Sequence, residues 1–257
     1  MIRREETDGW FLINQNDHAA LSGEIMTFWG NSTFSTPDPR EEVLFAIRNH
    51  DNGWLEWDST PKIYPVSSYP MNFMEMDFQD QEEIWRCCFR RYSLEHPYAS
   101  ALIALHFSRF NQKIIEKNHG NRGALRLKNE MNEYIQNSLK INLSNETNNQ
   151  LPNRDKVNLR LVQVGDIISL ALCHGWEEIE IDDVPLSYNG KSLKLRLESR
   201  DGRCFRLTPY PFSKPLLHLE VRGRKLSQKT FGCDEELRQM LIEYTYDKLE
   251  LSIQHYY

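Results

Sequence analysis

LVQVGDIISLAL (residues 161–172) and KSLKLRLES (residues 191–199) lie close in the chain but follow different periods. Around the first, Leu159, Val162, Leu170 and Cys173 recur at helical spacing about Asp166. In the second, apolar and polar residues alternate as in a half-buried strand. LLHLEVR (residues 216–222) alternates in the same way, and Tyr188-Asn189-Gly190 and Asp201-Gly202 supply turn signals between these runs. The change of period near residue 179 decides the fold reading. It divides the chain into a helical body over 1–180 and a β-rich portion over 181–257 that carries one helix. The expected class is mainly α, α+β overall, with the two portions packed as a single unit.

Working outward, the pattern predicts a helix over 14–29, ended by Gly30. Asp38 reads as an N-cap and Pro39 as the first residue of a helix that runs to about Asn52, with Gly53 as its stop. Residues 54–78 read as an irregular loop. Helices are expected over 79–94, from Pro97 to 118, over 122–141 and over 156–174, the last ended by Gly175. The polar stretch 142–155 reads as an exposed loop. Residues 233–246 return to helix, and KLELSIQHYY (248–257) reads as a final strand. Residues 1–13 receive no element.

Certain polar residues fall on apolar helix faces. His18 shares a face with Phe11, Gln15, Ser22, Ile25 and Trp29. His50 and Asp51 continue the stripe Val43, Leu44, Ile47 at a helix C-terminus, where the dipole favours a cation. His106 follows Ala99 and Ile103 and precedes Phe110 and Ile114. Asp166 sits within its own apolar stripe. Burying such groups is costly unless they are paired or bind a metal. Three imidazoles and two carboxylates suit Fe, Mn or Zn, as one ion or two.

The order of these residues resembles the ligand order of HD-domain metal-dependent phosphohydrolases: His18, then His50-Asp51, then Asp166. His106 resembles the additional histidine of two-metal HD proteins. HDNGW (50–54) departs from that pattern by placing Trp54 where many two-metal members have lysine. QNDHAALSGEIMTFWG (15–30), HDNGWLEWDSTP (50–61) and TPYPFSKP (208–215) resemble a domain-of-unknown-function family, number 3891. The resemblance implies an HD-like helical bundle with no settled activity.

The resulting expectation is a hydrolase of a phosphoester or phosphoanhydride. His18, His50, Asp51 and Asp166 would hold an ion, and His106 a second ion or the substrate. Asp51 and Asp58 are the candidate catalytic carboxylates, Asp58 as general base. Arg109, three residues beyond His106, would neutralise a small anionic substrate. A di-iron oxygenase and a non-enzymatic metal-binding regulatory module stand as alternatives.

Composition narrows the field further. The 257 residues are 40% hydrophobic and 26% charged, with a formal net charge of −6. That acidic balance disfavours general nucleic-acid binding. No secretory signal and no membrane span are expected. Five cysteines without C-x-x-C spacing point to free thiols in a reducing cytoplasm. On that reading the Asn-x-Ser/Thr matches at Asn31, Asn142 and Asn145 carry no glycan. Oligomeric state is left open.

Overall fold

A computed structural model describes residues 1–141 and 151–255. Most of the loop expected over 142–155, with its matches at Asn142 and Asn145, lies outside the described residues. The chain opens on a hairpin, β1 (Ile2–Glu6) and β2 (Gly9–Ile13). There follow α1 (Gln15–Thr27), α2 (Arg40–Asn49), a 3₁₀ turn (Asn52–Trp54) and the short α3 (Leu55–Ser59). Next come α4 (Phe78–Arg90), α5 (Pro97–Lys117), α6 (Arg122–Leu139) and α7 (Asn153–His174). The rest of the chain is β3 (Glu178–Pro185), β4 (Ser192–Ser199), β5 (Cys204–Thr208), β6 (Leu216–Leu226), α8 (Asp234–Glu243) and β7 (Asp247–Gln254). Pro39 stands at the N-cap of α2, one position earlier than expected.

Among the described residues, seven strands form one sheet in the order β1-β2-β6-β7-β5-β4-β3. Every neighbouring pair is antiparallel except β5 and β7, which run parallel. This corrects the expected class. The architecture is α+β, a mixed seven-stranded sheet packed on helices, and not a mainly α, HD-like bundle carrying a β-rich portion.

The reason lies in Gly9–Ile13. A strand covered on both faces loses its alternation and becomes a continuous apolar run. All five residues of β2 are buried. Phe11 and Ile13 enter the main core beside the helices. Trp10 and Leu12 point the other way, into a smaller core with Met1, Leu226, Phe231, Leu237 and Leu241. The helical body covers one face of this region and α8 the other. The N-terminal hairpin therefore belongs to the same sheet as residues 178–254.

Helix α7 is the central element. Its length and hydropathy would suffice to cross a bilayer, but 78% of that apolar window is buried inside the protein. It packs on α1, α2, α5, β1 and β3. A side chain at Gly165 would place its Cβ 2.8 Å from Ser22 Oγ and 2.9 Å from Met26 Cγ. The missing side chain thus lets α7 approach α1 closely, just before Asp166. At its other end, buried Arg4 of β1 donates to the carbonyls of Leu172 (2.9 Å) and Cys173 (3.3 Å). The Leu172 carbonyl also accepts from the N–H of the capping Gly175 at 3.2 Å, and a cation at this helix end suits the dipole.

Candidate metal centre

Four elements deliver the polar cluster. His18 comes from α1, His50 from the C-cap of α2, Asp51 from the residue after it, His106 from α5 and Asp166 from α7. All five residues are buried, His18 completely. The turn after α2 is pinned from outside. Asn52 donates to the carbonyls of Asn49 (2.7 Å) and Cys88 (2.8 Å). A Cβ on Gly53 would stand 2.2 Å from the Ile84 carbonyl oxygen, so only glycine lets this turn lie against α4.

Hydrogen bonding fixes the tautomers of two rings. His50 Nδ1 lies 2.7 Å from the Ile47 carbonyl oxygen, which can only accept, so Nδ1 carries the proton. The Ser169 hydroxyl donates its single proton to the Asp166 carbonyl oxygen at 2.9 Å. It must therefore accept from His18 Nδ1, also at 2.9 Å. In a neutral ring each Nε2 then presents a bare lone pair to the interior.

What these lone pairs face is two carboxylates. His18 Nε2 is 3.4 Å from both Asp51 Oδ2 and Asp166 Oδ1. His50 Nε2 is 3.5 Å and 3.4 Å from the same two oxygens. Both Nε2 atoms are buried without a hydrogen-bond partner. The spacing exceeds the roughly 2.7–2.9 Å of a charge-assisted hydrogen bond. Donors bound about 2.0–2.2 Å from a shared cation stand roughly 3–3.5 Å apart. His18, His50 and Asp51 present atoms that all lie within 4.8 Å of one another. Four inward acceptors, with the outer ring nitrogens already tied, fit a divalent ion.

The electrostatics agree. Burial alone would lower the affinity of His18 and His50 for a proton, but Asp51 and Asp166 outweigh it and raise both rings. Burial pushes the Asp166 carboxyl up, yet the facing His18 and His50 rings hold it well below the usual range. The pocket thus favours positive charge, whether proton or metal. His106 differs. Its Nε2 lies 3.6 Å from the other Asp166 oxygen, and burial brings its pKa down to about 4. At neutral pH it is an uncharged ring, and its Nδ1 lacks a partner.

The cluster forms the floor of a cavity of about 430 Å³. Trp54, Phe73, Trp85, Phe110 and Trp176 wall it, and Lys113 and Lys117 stand at its exposed side. The buried Gln15 Oε1 and Trp54 Nε1 both lack partners.

The structure does not bring every candidate here. Asp58 accepts from the Met1 amino group at 2.8 Å and from the Gln15 backbone N–H at 2.7 Å, and it is not part of the cavity wall. Both its oxygens are engaged in joining the chain start to the first turn of α1. Arg109 reaches Gln163 Oε1 at 3.3 Å and likewise lies outside the wall. The lysines at the cavity are Lys113 and Lys117. His174, the last residue of α7, stacks on Trp176 with ring centres 5.0 Å apart, and burial lowers its pKa to about 4.

Ser169 escaped the sequence reading, although it sits one helical turn past Asp166. Ser169→Ala would leave His18 Nδ1 without its acceptor. Losing such an orienting partner is expected to weaken metal binding about 10- to 100-fold with little change in fold. Competition with a chromogenic chelator measures this, and wild-type affinity in the variant would show that His18 needs no such support.

No curated protein and no solved structure matches the chain. One family model does, over residues 1–228, and nothing in these matches links the chain to HD-domain proteins. The matched span includes all five residues of the cluster, and the chain belongs to the family described as protein of unknown function (DUF3891).

Proposed function

We propose that this chain is a metal-dependent hydrolase of a small phosphoester or phosphoanhydride. The observation that carries this reading is the pair of buried, unpartnered Nε2 atoms of His18 and His50. They face Asp51 and Asp166 at the floor of a substrate-sized cavity. His18, His50, Asp51 and Asp166 would hold a divalent Fe, Mn or Zn ion. When bound, such an ion supplies an acidified water and a positive charge for a phosphoryl oxygen.

The other roles fall to the chain itself. Lys113 and Lys117 attract and neutralise the anionic substrate at the open side. The aromatic walls exclude water and orient its apolar part. His106, uncharged and adjacent to Asp166, is placed to accept a proton and return it to a leaving group. Asp51 and Asp166 supply the negative charge that a bound ion would balance, and the ion would take the place of the protons these carboxylates otherwise draw to His18 and His50.

The test is elemental analysis of protein purified without chelator, followed by a screen of aryl phosphates, nucleotides and pyrophosphate with Fe, Mn or Zn restored. Near-stoichiometric metal and metal-dependent turnover support the reading. Bound metal with no turnover across the screen retires the hydrolase and leaves a metal-binding module. No metal even after reconstitution sinks the site as well.

A further inference from the structure

A second cleft, of about 760 Å³, opens on the other side of the first turn of α1. Gln15 of that turn faces the histidine cavity, while Asn14, Asn16 and Asp17 line this cleft. Across from them stand Arg222 and Arg224, two positions apart on β6. Both guanidiniums lie over the Tyr246 ring, at 4.3 Å and 3.9 Å from its centre. Neither has a carboxylate within ion-pair distance among the described residues. Arg222 is paired across the ladder with another cation, Lys248 on β7, whose ammonium is met by Glu220 at 2.7 Å, and among the described residues no carboxylate on this ladder pairs with Arg222. Like charges directly opposed on a sheet are destabilising.

The other charges in the cleft are accounted for. Asp58 is neutralised by the Met1 amino group. Arg238 is held by Asp234, Glu235 and the Pro61 carbonyl. Asp17 is the remaining carboxylate, hydrogen-bonded by Asn14 Nδ2 at 3.1 Å. It offsets one of the two free guanidiniums and leaves the other. The orphaned polar atoms of this cleft are donors: Arg224 Nε and Asn16 Nδ2 are both shut off from solvent without an acceptor. Buried donors without partners are costly, and native proteins rarely retain them unsatisfied.

We infer that this cleft binds a phosphate group carried by a small molecule, at a site separate from the histidine cluster. A planar carboxylate is served by one guanidinium fork, whereas a phosphate dianion has oxygens enough for two forks and an amide. Stacking on Tyr246 holds both forks in place before the ligand arrives, which lowers the entropic cost of binding. The inference is independent of the hydrolase reading.

The experiment is calorimetric titration of the full-length protein with inorganic phosphate and, separately, with acetate. In parallel, NMR observes the arginine Nε–Hε resonances. Phosphate is expected to bind saturably and shift the Arg224 signal, with R222Q and R224Q each weakening that binding about tenfold. Acetate should bind far more weakly. An unmoved Arg224 signal in wild-type protein overturns the inference, and that readout does not depend on any variant folding. So does phosphate binding that is undiminished in both folded variants. Acetate binding as tightly as phosphate would overturn the choice of ligand.

Discussion

Asp166→Asn protein, purified beside wild type without chelator, is expected to bind metal at least about a hundredfold more weakly and to lose turnover in proportion. Asp166 is the residue on which the cluster converges. One oxygen faces His18 and His50, and the other faces His106. Asparagine keeps the shape and volume but removes the charge. It also turns one oxygen into an amide that can donate to an inward Nε2 lone pair. The substitution therefore separates metal binding from folding, because the buried imidazoles gain a donor as they lose an ion. The metal-free variant should still fold but melt below metal-free wild type, because the charge that balances the raised His18 and His50 rings is gone. Full metal content in Asp166→Asn would show that the carboxylate is no ligand. A collapsed fold would show that the negative charge is needed for stability itself.

Asp58→Ala is expected to cost about 3–5 kcal/mol, because it strands a buried ammonium and an orphaned helix N–H together. The Asp58 and Met1 partners are each only 4% exposed, so water cannot replace the lost carboxylate. For a chain of this size that corresponds to a fall in melting temperature of roughly 10 °C. Mass spectrometry first confirms that the tag-free protein retains Met1, and scanning calorimetry then reads the loss. Metal content should be unchanged, since Asp58 does not touch the cluster. Unaltered stability with lost turnover would return Asp58 to the general-base role assigned from sequence.

These two aspartates show what the sequence carries and what it hides. Asp166 was legible as a cluster residue because a carboxylate within an apolar helical stripe has few explanations. The same logic marked His18, His50, Asp51 and His106, and folding brings all five together. Asp58 lay in an irregular stretch, where spacing gives no direction, and its partner was the distant chain start. Arg109 misled through helical phase. At about 100° per residue it points roughly 60° away from His106, whereas Lys113 and Lys117 lie within about 20° of it. Ser169 needed a tautomer argument that only coordinates supply. Gly9–Ile13 was silent because burial on both faces erases the period that identifies a strand.

The position of β2 also sets an order of assembly. Its partner β6 lies more than two hundred residues further along, with Trp10 opposite Leu226 and Leu12 opposite Arg224. On a ribosome, the hairpin emerges early with an edge of unpaired backbone and a run of five apolar residues. It must wait for almost the whole chain before that edge is covered, and an exposed apolar edge invites pairing with other chains. Contacts this remote also make for slow closure. The helix bearing His18 follows β2 directly, so pairing with β6 completes the support beneath His18. In a growing chain the strand that leads into the His18 helix therefore stays half-paired until β6 has been made.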